Sequence, residues 1–332
     1  MGIGRGKLLL FGEHAAVYGH PALGIATADT TEVTVRPEAP EPVWTGSVDT
    51  GDSAIPLSIT GVPDAYLLVL RDAVAATIRA ASIAGVELAT RYPQGLHVTV
   101  RSSIPPGSGF GSSAALCVAL ATALAGSGIA RDIELWRIAN TVERIFHGTP
   151  SGIDTGLSLS TGLTAVYPAP PALPEKQPVS AGPFAIVYGG VPRVGDTKSL
   201  VARVRAGMDT GSPAMVDAID ALGSISRSAI SICATDSPAE KMGELCNEAQ
   251  EHLRRIGLST DSIEQRLARA RETGAIGGKL SGAGGGGAWY AVYASADAAH
   301  AGYVQLRQDL PAGERELLRV VCVSGSDVRA VE

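Results

Sequence analysis

The residues best suited to chemistry lie in one run, Pro105-Pro106-Gly107-Ser108-Gly109-Phe110-Gly111-Ser112-Ser113. Three alternating glycines lead into two serines, and an Ala/Leu-rich stretch, Ala114 to Ala125, follows. A chain that enters a helix through such a loop leaves backbone N–H groups unpaired at the helix N-terminus, where a polyphosphate can accept them. No Gly-Lys-Ser/Thr follows the glycines, so this is not a Walker A loop. Counted from Gly107, the dinucleotide fingerprint would need a third glycine at position 112, which is Ser112. What remains is a loop that lets a ligand approach the backbone, with hydroxyls able to reach phosphate or Mg²⁺. The plain alternative is a tight strand-to-helix turn with nothing bound; the paired serines weigh against it.

The surrounding elements explain how such a loop could be held. Leu96, Val98 and Val100 alternate with His97, Thr99 and Arg101, which predicts a strand with one buried face. The helix after the loop is apolar almost all round and must be buried on most sides; Ser112 and Ser113 are candidates to cap it. Asp64 is a candidate cap for a helix with the stripe Leu67, Leu70, Val74 and Ile78. Asp132 plays the same part for a helix with Leu135, Ala139, Val142 and Phe146 on one side. Glu143 sits at the edge of that stripe, just before the loop His147-Gly148-Thr149-Pro150-Ser151-Gly152-Ile153-Asp154. Six prolines between Pro168 and Pro183 are too many for a regular element in the middle of a domain and predict a connector or a surface excursion near a domain boundary. Beyond it, strands are expected at Phe184–Tyr188, Ala288–Tyr293 and Leu318–Val323. Helices are expected at about Asp196–Ala206, Pro213–Cys233, Pro238–Ile256, Ser262–Thr273 and Ser295–Leu310. Strands and helices mix without a βαβ rhythm, so the class is α+β rather than doubly wound.

Composition narrows the function classes. The chain has 332 residues, enough for two domains, with 45% apolar and 18% charged residues. Its net charge of -6 argues against nucleic acid as the main partner. A triphosphate is still compatible, since local amides, one lysine and a metal ion suffice to neutralise it. Cys117, Cys233, Cys246 and Cys322 are scattered, which suggests neither a zinc site nor a disulfide framework. No signal peptide or spanning run is read, and a reducing cytosol is the simple expectation.

The Pro105–Ala115 run resembles the central motif of the GHMP kinases. Gly6-Lys7-Leu8-Leu9-Leu10-Phe11-Gly12-Glu13-His14 and Lys279-Leu280-Ser281-Gly282-Ala283-Gly284-Gly285-Gly286-Gly287 resemble the first and third motifs of that superfamily. All three occur in order, from residue 5 to about 290. Within the superfamily, Gly12-Glu13-His14-Ala15-Ala16-Val17-Tyr18-Gly19 and His147–Asp154 are similar to segments of the mevalonate kinase branch. Galactokinases usually continue with Thr-Asp-Tyr, which is absent here. Val191-Pro192-Arg193 and Thr197-Lys198-Ser199 look like the same branch, although Val194-Gly195-Asp196 makes the gap before Thr197 longer than usual.

The resemblance implies a two-domain fold, with an N-terminal domain like ribosomal protein S5 domain 2 over 1–180. A ferredoxin-like α+β domain over 181–332 would follow, with the active site between them. It implies phosphoryl transfer from ATP to the 5-hydroxyl of mevalonate in a cytoplasmic enzyme, with room for a homodimer. It assigns Mg²⁺ to Ser113 and Glu143, two hard oxygen ligands that would be supplemented by water and phosphate. Asp154 would face the substrate hydroxyl beside Lys7, while Glu13, His14 and Thr197 would bind the acceptor. Ser102, Gly107, Ser108, Gly109, Phe110, Gly111, Ser112 and Ser113 would contact the nucleotide. Taken singly, Glu143 could be a solvated helix charge, Asp154 a turn-capping carboxylate, and Lys7 a snorkelling strand residue. A sister kinase acting on phosphomevalonate or a sugar is the nearest rival. A catalytically inactive sensor or scaffold is the rival from another class.

Overall fold

The computed structural model describes residues 1–37, 44–49, 54–60, 63–86, 88, 92, 95–126, 132–195 and 197–331. Its strands are β1 (Gly2–Phe11), β2 (Ala22–Arg36), β3 (Trp44–Asp49), β4 (Ala54–Thr60), β5 (Leu96–Ser102) and β6 (Leu163–Tyr167), then β7 (Glu175–Pro178), β8 (Ala181–Val191), β9 (Gly277–Leu280), β10 (Gly287–Tyr293), β11 (Arg319–Gly325) and β12 (Asp327–Ala330). The helices are α1 (Asp64–Ile83), α2 (Ser112–Ala125), α3 (Asp132–His147), α4 (Ile153–Ser158) and α5 (Thr197–Asp209), followed by α6 (Pro213–Cys233), α7 (Ala239–Arg255), α8 (Asp261–Glu272), α9 (Ala296–Asp309) and α10 (Ala312–Arg315). This mixture is α+β, as the irregular alternation of patterns predicts. Two compact units are formed, and β1 and β2 contribute residues to both.

The first unit holds residues 1–6, 29–105 and 111–159. β3 and β4 pair antiparallel, β4 pairs parallel with β5, and β5 pairs antiparallel with the Thr31–Arg36 part of β2. Val33, Leu57, Ile59, Val98 and Val100 join the apolar cluster that includes α1, α2 and α3. Alternation along β5 therefore places its valines in the core. Ten of the fourteen residues of α2 are buried, so the all-round apolar pattern reports its central position. Gly2 and Gly4 of β1 let α2 come close, because a Cβ at either would collide with the Ala119 or Ala115 carbonyl oxygen.

The second unit holds residues 7–28, 106–110 and 160–332. Its five-stranded sheet runs β12-β11-β8-β10-β9, every pair antiparallel. The Ala22–Ile25 part of β2 pairs with β6, which pairs in turn with β7. Trp289, Tyr188, Tyr290, Tyr293 and Phe184 are fully buried and supply much of the bulk in a chain poor in aromatics.

Three expectations need correction. The proline-rich stretch holds β7 and the start of β8: Pro178 ends β7, and Pro183 lies near the beginning of β8, where a missing N–H costs least. Pro63, in extended backbone, precedes α1, and Asp64 lies in the first turn instead of capping it. Gly111, in the left-handed conformation (φ 77°), takes the cap position of α2, so Ser112 and Ser113 fall inside its first turn. Asp196, expected to start a helix, lies outside the described residues, and α5 is described from Thr197.

Candidate active site

In the first unit, the start of α2 meets the end of α3. The Ser113 hydroxyl donates to Glu143 Oε1 at 2.8 Å, and His147 Nε2 lies 3.2 Å from both atoms. Glu143 is 1% exposed, which removes the reading of a solvated helix charge. Burial, and then the Glu143 carboxylate, hold the neighbouring Cys117 thiol well above its usual range. The donor set suits Mg²⁺. Adjacent oxygens around an octahedral Mg²⁺ are about 2.9 Å apart, close to the Ser113–Glu143 spacing. No group of three or more His, Cys, Asp or Glu among the described residues could hold a metal. A cation here would take its other ligands from phosphate and water.

Asp154 is in the first turn of α4 and half-buried. Trp136 of α3 fixes that turn: its indole N–H is 3.0 Å from the Gly152 carbonyl and 3.2 Å from Thr155 Oγ1. Ser102 is engaged locally, with Oγ 2.8 Å from Thr31 Oγ1 and accepting the Ile104 N–H at 3.1 Å.

In the second unit, the Pro106–Phe110 segment is pinned by its own backbone. The Lys7 N–H donates to the Phe110 carbonyl at 2.9 Å, and Arg193 Nε donates to the Gly107 carbonyl at 2.9 Å. The Phe110 ring stands edge-on to Tyr188 with centroids 5.4 Å apart. Ser108 is buried, and a Cβ on Gly109 would press against the Ala288 backbone. The third glycine-bearing segment is also folded tightly: Gly282 and Gly284 to Gly287 all have positive φ. The Val194 N–H donates to Gly285 O at 2.7 Å, and the Gly285 N–H to Leu258 O at 2.8 Å. This ordered turn is no linker.

Glu13 and His14 follow β1. Glu13 is buried and ion-paired through Oε1 to Lys279, and its Oε2 has no hydrogen-bond partner among the described residues. Burial raises the Glu13 pKa, while Lys279, then the residue's own backbone N–H, and then Lys7 pull it back. His14 has φ 57°, the only positive φ outside glycine among the described residues, and its Nε2 lies 3.1 Å from the Ala283 carbonyl. Burial lowers its pKa. Thr197 opens α5. Lys7 is 4% exposed and belongs to the second unit, Asp154 to the first.

Two family models match this chain, the GHMP kinases N terminal domain over residues 71–162 and the GHMP kinases C terminal model over 233–312. The chain is similar to mevalonate kinase of Pyrococcus horikoshii, 31% identical with 86% of each chain covered. It is also similar to mevalonate kinase of Thermococcus sibiricus, 32% identical over the same shares. The chain belongs to the GHMP kinases. Its backbone resembles the crystal structure of L. major mevalonate kinase in complex with R-mevalonate, with a TM-score of 0.75, 25% identity, and 98% and 96% of the two chains covered.

Two contacts of this GHMP kinase were missed by sequence reading. The sequence presents His147 as part of a loop motif, although it lies one helical turn after Glu143 and so shares its face. Lys279 was seen only as the start of a glycine-rich run. A lysine inside the wholly buried strand Gly277–Leu280 is itself a signal, because such a charge needs a partner.

Proposed function

We propose that this GHMP kinase transfers the γ-phosphoryl group of ATP to the 5-hydroxyl of mevalonate, giving 5-phosphomevalonate and ADP. The hydroxyl oxygen attacks the γ-phosphorus, the bond to the β–γ bridging oxygen breaks, and ADP leaves. In this reading the 107–113 loop takes the phosphates on its amides, with Ser102 on the nucleotide. Ser113 and Glu143 would hold Mg²⁺, which supplies charge neutralisation to the phosphates when bound. Asp154 orients the hydroxyl or takes its proton, and Lys7 offsets the charge on the transferring group. Glu13, His14 and Thr197 bind the acceptor.

The observation that carries the reading is the hydroxyl–carboxylate pair Ser113–Glu143 at the start of a buried helix entered through a glycine loop. The mevalonate kinases similar to this chain over most of its length support the acceptor. We take domains over 1–180 and 181–332, a cytoplasmic location and room for a homodimer as parts of the same reading. Sedimentation of the purified protein checks the last. An assay coupling ADP release to NADH oxidation, run with mevalonate, phosphomevalonate, galactose and homoserine, tests the whole. Turnover of mevalonate well above the others is expected, and preference for any other acceptor overturns it.

A further inference from the structure

Lys279 is fully buried, yet its ammonium has three acceptors: Glu13 Oε1, the Leu10 carbonyl at 3.1 Å and the Leu280 carbonyl at 2.7 Å. An ammonium has three N–H donors, one for each of these acceptors. The rings of Phe11 and Tyr290 lie 5.7 and 5.4 Å from Nζ and add a favourable face to a cation. The Tyr290 hydroxyl also donates to Leu10 O at 2.6 Å, and the Cys246 thiol donates to that hydroxyl at 3.3 Å. The cluster therefore ties the end of the first glycine-bearing motif to the strand that opens the third. Within it, one polar side-chain atom is left over. Glu13 Oε2 is buried and has no hydrogen-bond partner among the described residues.

We infer that Lys279 is a positioning residue for the acceptor alcohol: its ammonium fixes Glu13 Oε1 and leaves Oε2 as the acceptor that takes a substrate hydroxyl. The inference rests on the proposed function, in which Glu13 binds the acceptor. A buried carboxylate oxygen with no donor is costly to keep, and a substrate O–H is the group that would satisfy it. In this reading Lys279 acts through Glu13 and does not itself touch substrate.

The test is a cycle of Lys279→Met, Glu13→Gln and the double variant, with KM for mevalonate and for ATP measured from pH 6 to 9. The charged and titratable groups around the Glu13 carboxylate are Lys279, Lys7, Cys246 and Tyr290. Removing Lys279 raises the Glu13 pKa further, so the anion is recovered only as pH rises. Lys279→Met should raise KM for mevalonate at least tenfold at pH 7, with KM for ATP within twofold, and the defect should shrink toward pH 9. Glu13→Gln should show a pH-independent rise, and the double variant should be no worse than Glu13→Gln. If Lys279→Met fails to fold, the comparison of Glu13→Gln with the double variant still decides, because a further rise in KM there overturns the inference. An unchanged KM for mevalonate in folded Lys279→Met also overturns it. The unmodified protein separates the two readings: no turnover of mevalonate defeats the function itself, whereas turnover with an unaffected Lys279→Met defeats only this inference.

Discussion

The polar cluster at the start of α2 and the one at the end of β1 solve the problem of a buried carboxylate differently. Glu143 is met by a hydroxyl and an imidazole, from Ser113 and His147. Glu13 is met by a fixed ammonium that two backbone carbonyls also hold. On the proposed reading, the first arrangement would exchange its internal bonds for a cation and phosphate. The second is built once, during folding, and presents a fixed charge pattern. On the proposed reading, the former serves a triphosphate that is bound and released each cycle, and the latter serves recognition of one small alcohol.

Asp154→Asn puts the greatest strain on this contrast. It should lower kcat by about 10²–10⁴-fold, the range of general-base contributions, while KM for ATP stays within threefold. Equal loss of ATP binding, seen by fluorescence titration, would show that Asp154 serves the nucleotide end instead. Glu143→Gln should raise the Mg²⁺ concentration for half-maximal rate at least tenfold, by our estimate from the loss of one charged ligand, and Ser113→Ala should do so less. A Mg²⁺ titration superimposable on the unmodified enzyme would remove Glu143 from the metal.

Local patterns in the sequence report part of this architecture, and contacts between distant residues lie beyond them. The Gly107–Ser113 loop and the buried α2 are local patterns, and both are where the sequence puts them. α6 runs from Pro213 to Cys233 as its periodicity implies. The start of α2 was misread by one cap because left-handed Gly111 competes with serine for that position. β7 was hidden by prolines that edge positions tolerate. The Lys279–Glu13 pair spans 266 residues, and no local pattern reports a contact of that reach.

Smaller effects refine the comparison. Gly4→Ala would push a methyl into the Ala115 carbonyl and should destabilise by about 1–3 kcal/mol, as overpacking does. Chemical denaturation checks this, and an unchanged midpoint would mean α2 is not held as closely as described. Burial lowers the pKa values of both His14 and His97. The unfolded chain therefore binds more protons below about pH 6.5, and stability should fall as pH drops from 7 to 5. His97→Gln should flatten that slope in part; a slope unaltered by this change would assign the acid sensitivity elsewhere. The Cys246 and Cys233 thiols are pushed up to about 12 and about 11 by burial. A maleimide should therefore modify native protein at Cys322 alone, the one cysteine that is not buried. Rapid loss of all four thiols would contradict the packing of α6 and α7.

The structure of the reaction product offers the sharpest check. Phosphorus-31 and proton NMR of a mixture of enzyme, ATP, Mg²⁺ and mevalonate should show one new phosphomonoester per ADP formed, its phosphorus coupled to the C5 methylene protons. A phosphoryl group on the tertiary C3 oxygen, or ADP released without any phosphorylated mevalonate, would contradict the account.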